Sequence, residues 1–92
     1  MNRTDYEQTL AQLVGAAELV ASGMPEDQKM SAFQSLAFFR LRQHRLIETT
    51  TPPISNDELF KDSAMAALTM AGRKEFLAAA ALLEQARSLM SN

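Results

Sequence analysis

Residues 4–23 read TDYEQTLAQLVGAAELVASG, and this stretch decides the fold class. Its apolar side chains recur every three or four residues, as Tyr6, Leu10, Leu13, Ala17 and Val20. This spacing places them on one face of an α-helix that packs against a neighbour. Thr4 followed by Glu7 fits a capping box, and Gly23 can take the left-handed conformation that ends a helix. The stretch predicts a first helix from Thr4 to residues 22–23.

Further helical segments follow, because the chain is rich in Ala, Leu, Gln, Glu and Met and shows no sustained period of two. The second segment begins at Pro25, with two carboxylates in its first turn, and should extend to about Glu48. Ser55 followed by Glu58 predicts another capping box and a third helix that ends at about Ala71.

A fourth helix is expected from about Arg73 to Met90, and only Gly72 separates it from the third. A glycine inside a helix costs only about 1 kcal/mol relative to alanine, so one long helix over residues 56–90 is the alternative. We favour a turn at Gly72, because a folded-back hairpin lets so short a chain cover its own core.

Residues 49–54, TTTPPI, interrupt the helical pattern. The residue before each proline is pushed out of the α region, so no helix continues through this segment. Six such residues can reach roughly 20 Å, enough to cross one end of a small bundle. We therefore predict an all-α fold, a small antiparallel bundle of about four helices. Two helical hairpins joined by this Thr/Pro crossover would form a single domain over residues 1–92.

Composition argues against several classes of protein. The chain has no cysteine, so it offers no disulfide, thiolate metal site or cysteine nucleophile, and its one histidine cannot supply a zinc site. No glycine-rich phosphate loop or G-x-S-x-G turn is present, so we expect no enzyme and no cofactor.

The sequence also bears on location. The segment MNRTDYEQTL lacks the apolar core of a secretory signal, and no apolar run approaches the ~20 residues of a membrane span. We expect a cytoplasmic chain that does not enter a membrane.

The second helix carries more apolar surface than a helix in so small a bundle usually buries. At 100° per residue, nine apolar side chains sweep about 220° of its circumference. They are Met30, Ala32, Phe33, Leu36, Ala37, Phe39, Leu41, Leu46 and Ile47. We infer that this helix occupies the centre of the bundle or is covered on a further side by another chain.

Phe38 lies in the remaining, polar sector of the same helix, with Arg42 and Arg45 one and two turns further along. One interpretation is that the fourth helix or the crossover folds over its ring. The other is that Phe38 is an exposed aromatic anchor beside arginines, a combination enriched at binding hot spots.

Arg40 and His44 project from the middle of the apolar sector. Long cationic side chains near a helix C-terminus can reach water at the end of the bundle, where they also favour the helix dipole. The alternative is a polar contact with a carboxylate of the same chain or of a partner, such as Glu48, Asp57 or Asp62.

These features favour binding over catalysis. We predict a non-enzymatic protein–protein interaction module, such as a small adaptor or regulatory inhibitor that binds a larger protein through the second helix. The candidate partner-binding residues are Phe38, Arg40, Arg42, His44 and Arg45. A homodimer is the simplest way to cover the surplus apolar surface, because symmetric dimers are the commonest oligomers.

The alternative function is a nucleic-acid-binding regulator that uses the basic patch at the end of the second helix. Arg42 and Arg45 would supply it, joined by Arg73 and Lys74 if the turn at Gly72 brings these alongside. The net charge of −2 makes this the weaker prediction, because nucleic-acid binding usually draws on a basic excess.

Overall fold

Four α-helices build the fold in a computed structural model that describes residues 1–45 and 54–90. Helix α1 spans Arg3–Gly23, α2 spans Lys29–His44, α3 spans Asp57–Gly72 and α4 spans Phe76–Leu89. A single 3₁₀ turn, Glu26–Gln28, precedes α2. The predicted all-α bundle is confirmed. Most of the crossover, and the expected continuation of the second helix to Glu48, lie outside the described residues.

Helix α1 lies at the centre of the bundle. It packs against α2, α3 and α4, whereas α2 and α3 flank it and make no contact with each other in the described ranges. All five residues of the apolar row predicted in residues 4–23 are buried, each 2% exposed or less. Of the two placements inferred for the second helix, the central one is therefore wrong, because α1 occupies that position.

Helix α3 runs parallel to α1, and α4 runs antiparallel to both. Near the beginnings of α3 and α1, Lys61 Nζ lies 3.1 Å from Asp5 Oδ2. At the other end of the bundle, the ring of Phe76 at the start of α4 lies against Gly23 at the end of α1.

Helix α2 runs in the same direction as α4. Ser31 Oγ donates to Glu84 Oε1 at 2.8 Å, and one turn further on Arg87 Nη1 lies 3.4 Å from Ser35 Oγ. The end of α2 and the start of α3 therefore lie at the same end of the bundle, on two sides of α1. The crossover has to join these two points.

The N-cap residues of α1 and α3 are asparagines, so both predicted capping boxes are wrong. The side chains of Asn2 and Asn56 accept hydrogen bonds from the backbone N–H three residues further on, at 2.8 Å and 3.0 Å. Asparagine caps a helix as well as serine and better than threonine. Asn2, two residues before Thr4, caps α1, and Asn56, directly after Ser55, caps α3.

The joint between α3 and α4 is a turn, as predicted. Its left-handed residue is Lys74, with φ of 64°, and not Gly72. The N–H of Lys74 donates to the Ala71 carbonyl at 3.0 Å, and the N–H of Glu75 donates to the Met70 carbonyl at 2.9 Å. These bonds satisfy carbonyl groups at the end of α3, and α4 begins three residues later than expected.

Gly23 has a packing role instead of the predicted left-handed one. Its φ is not positive, and α1 ends because Met24 is extended. A Cβ at Gly23 would overlap the ring of Phe76, so the absence of a side chain lets α4 begin directly against α1.

We expect Gly23→Ala to destabilise the protein by about 1–2 kcal/mol, since overpacking of roughly 1–3 kcal/mol exceeds the gain in helix propensity. Gly72→Ala is the matched control. No atom lies within 4 Å of a Cβ at Gly72 and its φ is not positive, so this substitution should stabilise by about 0.5–1 kcal/mol. Denaturant unfolding measures both, and equal free energies of unfolding for the two variants would contradict this role of Gly23.

Tyr6 is the chain's one tyrosine, and its ring lies in the core, 6.5 Å from the ring of Phe60. Burial raises the pKa of Tyr6 above its ordinary value of 10.0, and the nearby charge of Arg42 offsets part of this increase.

The free energy of unfolding should therefore fall as the pH rises above about 10, because the unfolded state then loses a proton that the folded state keeps. Tyr6→Phe should remove this part of the alkaline pH dependence. Denaturant unfolding between about pH 8 and about pH 11, with tyrosinate absorbance as a direct reporter, checks the sign. A tyrosinate midpoint below 10 in the folded protein would show that the sign is wrong.

Candidate protein-binding surface

Helix α2 has three sides with different surroundings. Ala32, Leu36 and Phe39 face α1 and are buried, at 9% exposure or less. A second side faces α4 and carries Ser31, Ser35, Phe38 and Arg42. The third side faces solvent, and we name its apolar residues the exposed row: Met30, Phe33, Ala37 and Leu41.

The exposed row contains three large apolar side chains on one side of one helix. Met30 is 69% exposed, Phe33 is 51% exposed and Leu41 is 45% exposed. Their successive spacings of three and eight residues keep them aligned over about 16 Å of helix. A contiguous exposed apolar strip of this kind is a candidate interaction surface.

Helix α3 also exposes three large apolar side chains, but they do not form a row. Met65 and Leu68 lie next to each other, whereas Leu59 projects more than 100° away around the helix. Helix α2 is therefore the described helix that presents the most continuous apolar strip.

Phe38 lies half-buried in the groove between α2 and α4. Its ring meets that of Phe39 edge-on, with centroids 5.5 Å apart. The guanidinium of Arg42 lies 3.8 Å from the Phe38 ring centroid, and that of Arg87 on α4 lies 5.3 Å from it. Helix α4 thus reaches the ring through an arginine, and the ring is neither sealed in the core nor fully exposed.

Arg40 and His44 border the exposed row. The Arg40 guanidinium lies 3.3 Å from the carboxylate of Glu18 on α1, and both side chains are about half exposed. Among the described acids, the partner of Arg40 is thus not Asp57 or Asp62, since α1 and not α3 lies next to α2. Glu48 lies outside the described ranges.

His44 is exposed in the last turn of α2, and Arg45 is exposed at the C-terminal cap of the helix. The five predicted binding residues therefore divide among three places. Arg40 and His44 lie beside the exposed row, Phe38 and Arg42 lie in the groove, and Arg45 follows the end of the helix. Arg87 could not be predicted from the sequence, because nothing in the local pattern of α2 indicates where α4 lies.

The basic residues proposed for nucleic-acid binding do not form one surface. Arg42 and Arg45 lie at the end of α2 that is close to the start of α1. Lys74 lies at the opposite end of the bundle, where it lines a pocket with Met24 and Pro25. The turn at Gly72 therefore carries Lys74 away from the basic end of α2.

That pocket is open, has a volume of about 400 Å³ and lies between the α1–α2 connection and the start of α4. Leu77, one of its lining residues, is 71% exposed. Within the described ranges, no three histidine, aspartate or glutamate side chains gather as metal ligands.

The chain matches no known protein family, and comparison with curated proteins and with solved structures also finds no match. In the part of the chain that the structure describes, no helix combines the length and apolar character needed to cross a membrane.

Phe38→Ala should lower the free energy of unfolding by about 1–2 kcal/mol, less than the ~3–5 kcal/mol typical of a core phenylalanine, because its ring is only half-buried. Phe39→Ala is the matched control one residue away, since Phe39 is fully buried and should show the full loss. Denaturant unfolding measures both, and equal losses would place Phe38 in the core.

Proposed function

We propose that this protein is a non-enzymatic protein–protein interaction module, a small adaptor or regulatory inhibitor, whose contact surface is the exposed row of α2. The observation that carries the proposal is the alignment of Met30, Phe33 and Leu41 on one side of a folded helix, each 45% exposed or more. Covering these side chains would remove apolar surface from water at about 25 cal/mol per Å².

The spacing of the row favours a helical mode of recognition. Residues 30, 33, 37 and 41 repeat at intervals of three and four, as do the anchors by which amphipathic helices enter grooves or pair with other helices. Phe33 supplies the aromatic centre, and Ala37 leaves room for a partner side chain. Arg40 and His44 provide a polar rim, as protein interfaces usually have.

The groove beside Phe38 is an accessory part of this surface. Arg42 and Arg87 both bring guanidinium groups to the Phe38 ring. An arginine whose guanidinium lies on an aromatic ring is held in place, and a guanidinium is well suited to pairing with a carboxylate. We propose that this contact determines which partner binds more than how tightly it binds, because charged contacts at the edge of an interface contribute little to affinity.

A homodimer is the partner arrangement that the sequence predicts, and a second, unrelated protein partner is compatible with the same surface. A cytoplasmic location agrees with the absence of cysteine. The homodimer and the cytoplasmic location are both predictions.

Nucleic-acid binding is the less favoured function. Its basic patch lacks the contribution of Lys74, which lies at the opposite end of the bundle from Arg42 and Arg45. A phosphate-binding surface would also lose affinity steeply with added salt, whereas an apolar interface would persist.

Phe33→Glu tests the proposal, because it places a charge in the exposed row at a site where the fold tolerates one. Met65→Glu is the matched control, an equally exposed apolar residue on α3 at 59%. The readouts are light-scattering mass of the purified protein and capture of proteins by the immobilised chain. We expect association, with itself or with another protein, for the wild type and Met65→Glu and its loss for Phe33→Glu.

Two outcomes would contradict the proposal. A wild-type chain that stays monomeric and captures no protein would remove its basis. Association that survives Phe33→Glu would show that the contact surface lies elsewhere on the bundle.

A further inference from the structure

We infer that the exposed row binds a second copy of this chain, with the two α2 helices antiparallel about a two-fold axis that passes near residues 35 and 36. The inference rests on the proposed function and specifies its partner. It follows from the distribution of apolar and charged side chains along α2, which is complementary to itself when one copy is reversed.

The apolar part of the row matches itself in this arrangement. Residues 30 and 41 are equally far from the axis, so Met30 faces the partner's Leu41 and Leu41 faces the partner's Met30. Phe33 is level with the partner's position 38, and the nearest residue of the partner's row is Ala37, whose small side chain leaves space for the ring. A two-fold contact thus pairs each large exposed side chain with an apolar neighbour, as interfaces between identical subunits do.

The charges at the two ends of the row match in the same register. Glu26 and Asp27 are exposed before the start of α2, whereas His44 and Arg45 are exposed at its end. Reversing one copy brings Asp27 opposite the partner's His44 and Glu26 opposite the partner's Arg45. Glu26 has its side chain 95% exposed and lies 3.7 Å from Lys29, so it can also serve an intermolecular contact.

A parallel arrangement would place like charges together. Asp27 would face its own copy at one end and Arg45 would face its own copy at the other, which costs free energy at an interface. The helix dipoles would also be aligned in parallel, whereas the antiparallel pair sets opposite dipole ends beside each other. Charge complementarity therefore selects the antiparallel pair.

Cysteine cross-linking tests this arrangement directly, because the chain has no cysteine of its own. Asp27→Cys and His44→Cys are made as separate variants, mixed and treated with a short bismaleimide. The antiparallel pair predicts cross-linked dimer in the mixture, between position 27 of one copy and position 44 of the other. Each variant alone should give none, since like positions would be about 25 Å apart along the helices.

Gln34→Cys is the positive control, because position 34 is exposed and lies close to the proposed axis, so this variant should cross-link to itself. Adding Phe33→Glu to Gln34→Cys should abolish that product. Adding Met65→Glu should leave it unchanged, which separates loss of the interface from a general effect of a new charge.

Cross-linking of Asp27→Cys or His44→Cys alone, without the mixed product, would overturn the antiparallel register and indicate a parallel pair. Absence of every cross-link would overturn the second copy as partner. In that case, if the immobilised chain captures another protein and Phe33→Glu abolishes that capture, the proposed function is retained. If no such capture occurs, the proposed function and the second copy as partner are both contradicted.

Discussion

The burial of α1 on several sides is the constraint on which the rest of the structure depends. This 21-residue helix has nine buried residues, and they face three different neighbours. Among the described residues, three other helices are available to cover it, and all three are used. Within the same residues, helix α2 buries its apolar side chains against α1 and meets α4 mainly through polar and cationic groups. Its surplus apolar side chains remain in contact with water for this reason.

Sequence alone predicted the elements well where the signal is local. The period of residues 4–23 identifies the core face of α1, because each of those positions is read from its own neighbours three and four residues away. The N-cap residues were harder to predict. Each helix start offers two residues that can cap it within one turn, Asn2 and Thr4 for α1 and Ser55 and Asn56 for α3. Gly23 was misread because its role depends on Phe76, more than fifty residues away.

The apolar excess on the second helix was predicted, but the residues predicted to bind the partner, Phe38, Arg40, Arg42, His44 and Arg45, do not include the exposed row. A helical projection sorts the side chains of α2 by angle and does not say which angles face the rest of the chain. Phe38 was predicted as a candidate anchor because its neighbours in the helical projection are polar, yet Arg87 of α4 partly covers its ring. The ring that faces water is that of Phe33, in the apolar sector. Only the placement of α1 and α4 distinguishes the two phenylalanines.

The junction between α2 and α4 has a consequence for the energetics of the fold. The contacts across it are hydrogen bonds between Ser31 and Glu84 and between Ser35 and Arg87, together with guanidinium groups on the ring of Phe38. Water can replace such polar contacts at little cost in free energy. Opening of this junction alone therefore costs less free energy than separating α2 from α1, where Ala32, Leu36 and Phe39 are buried. A molecule that binds the outer side of α2 would slow that opening and so raise the stability of the whole domain by mass action. The free energy of unfolding of the domain therefore increases with the concentration of a molecule that binds α2.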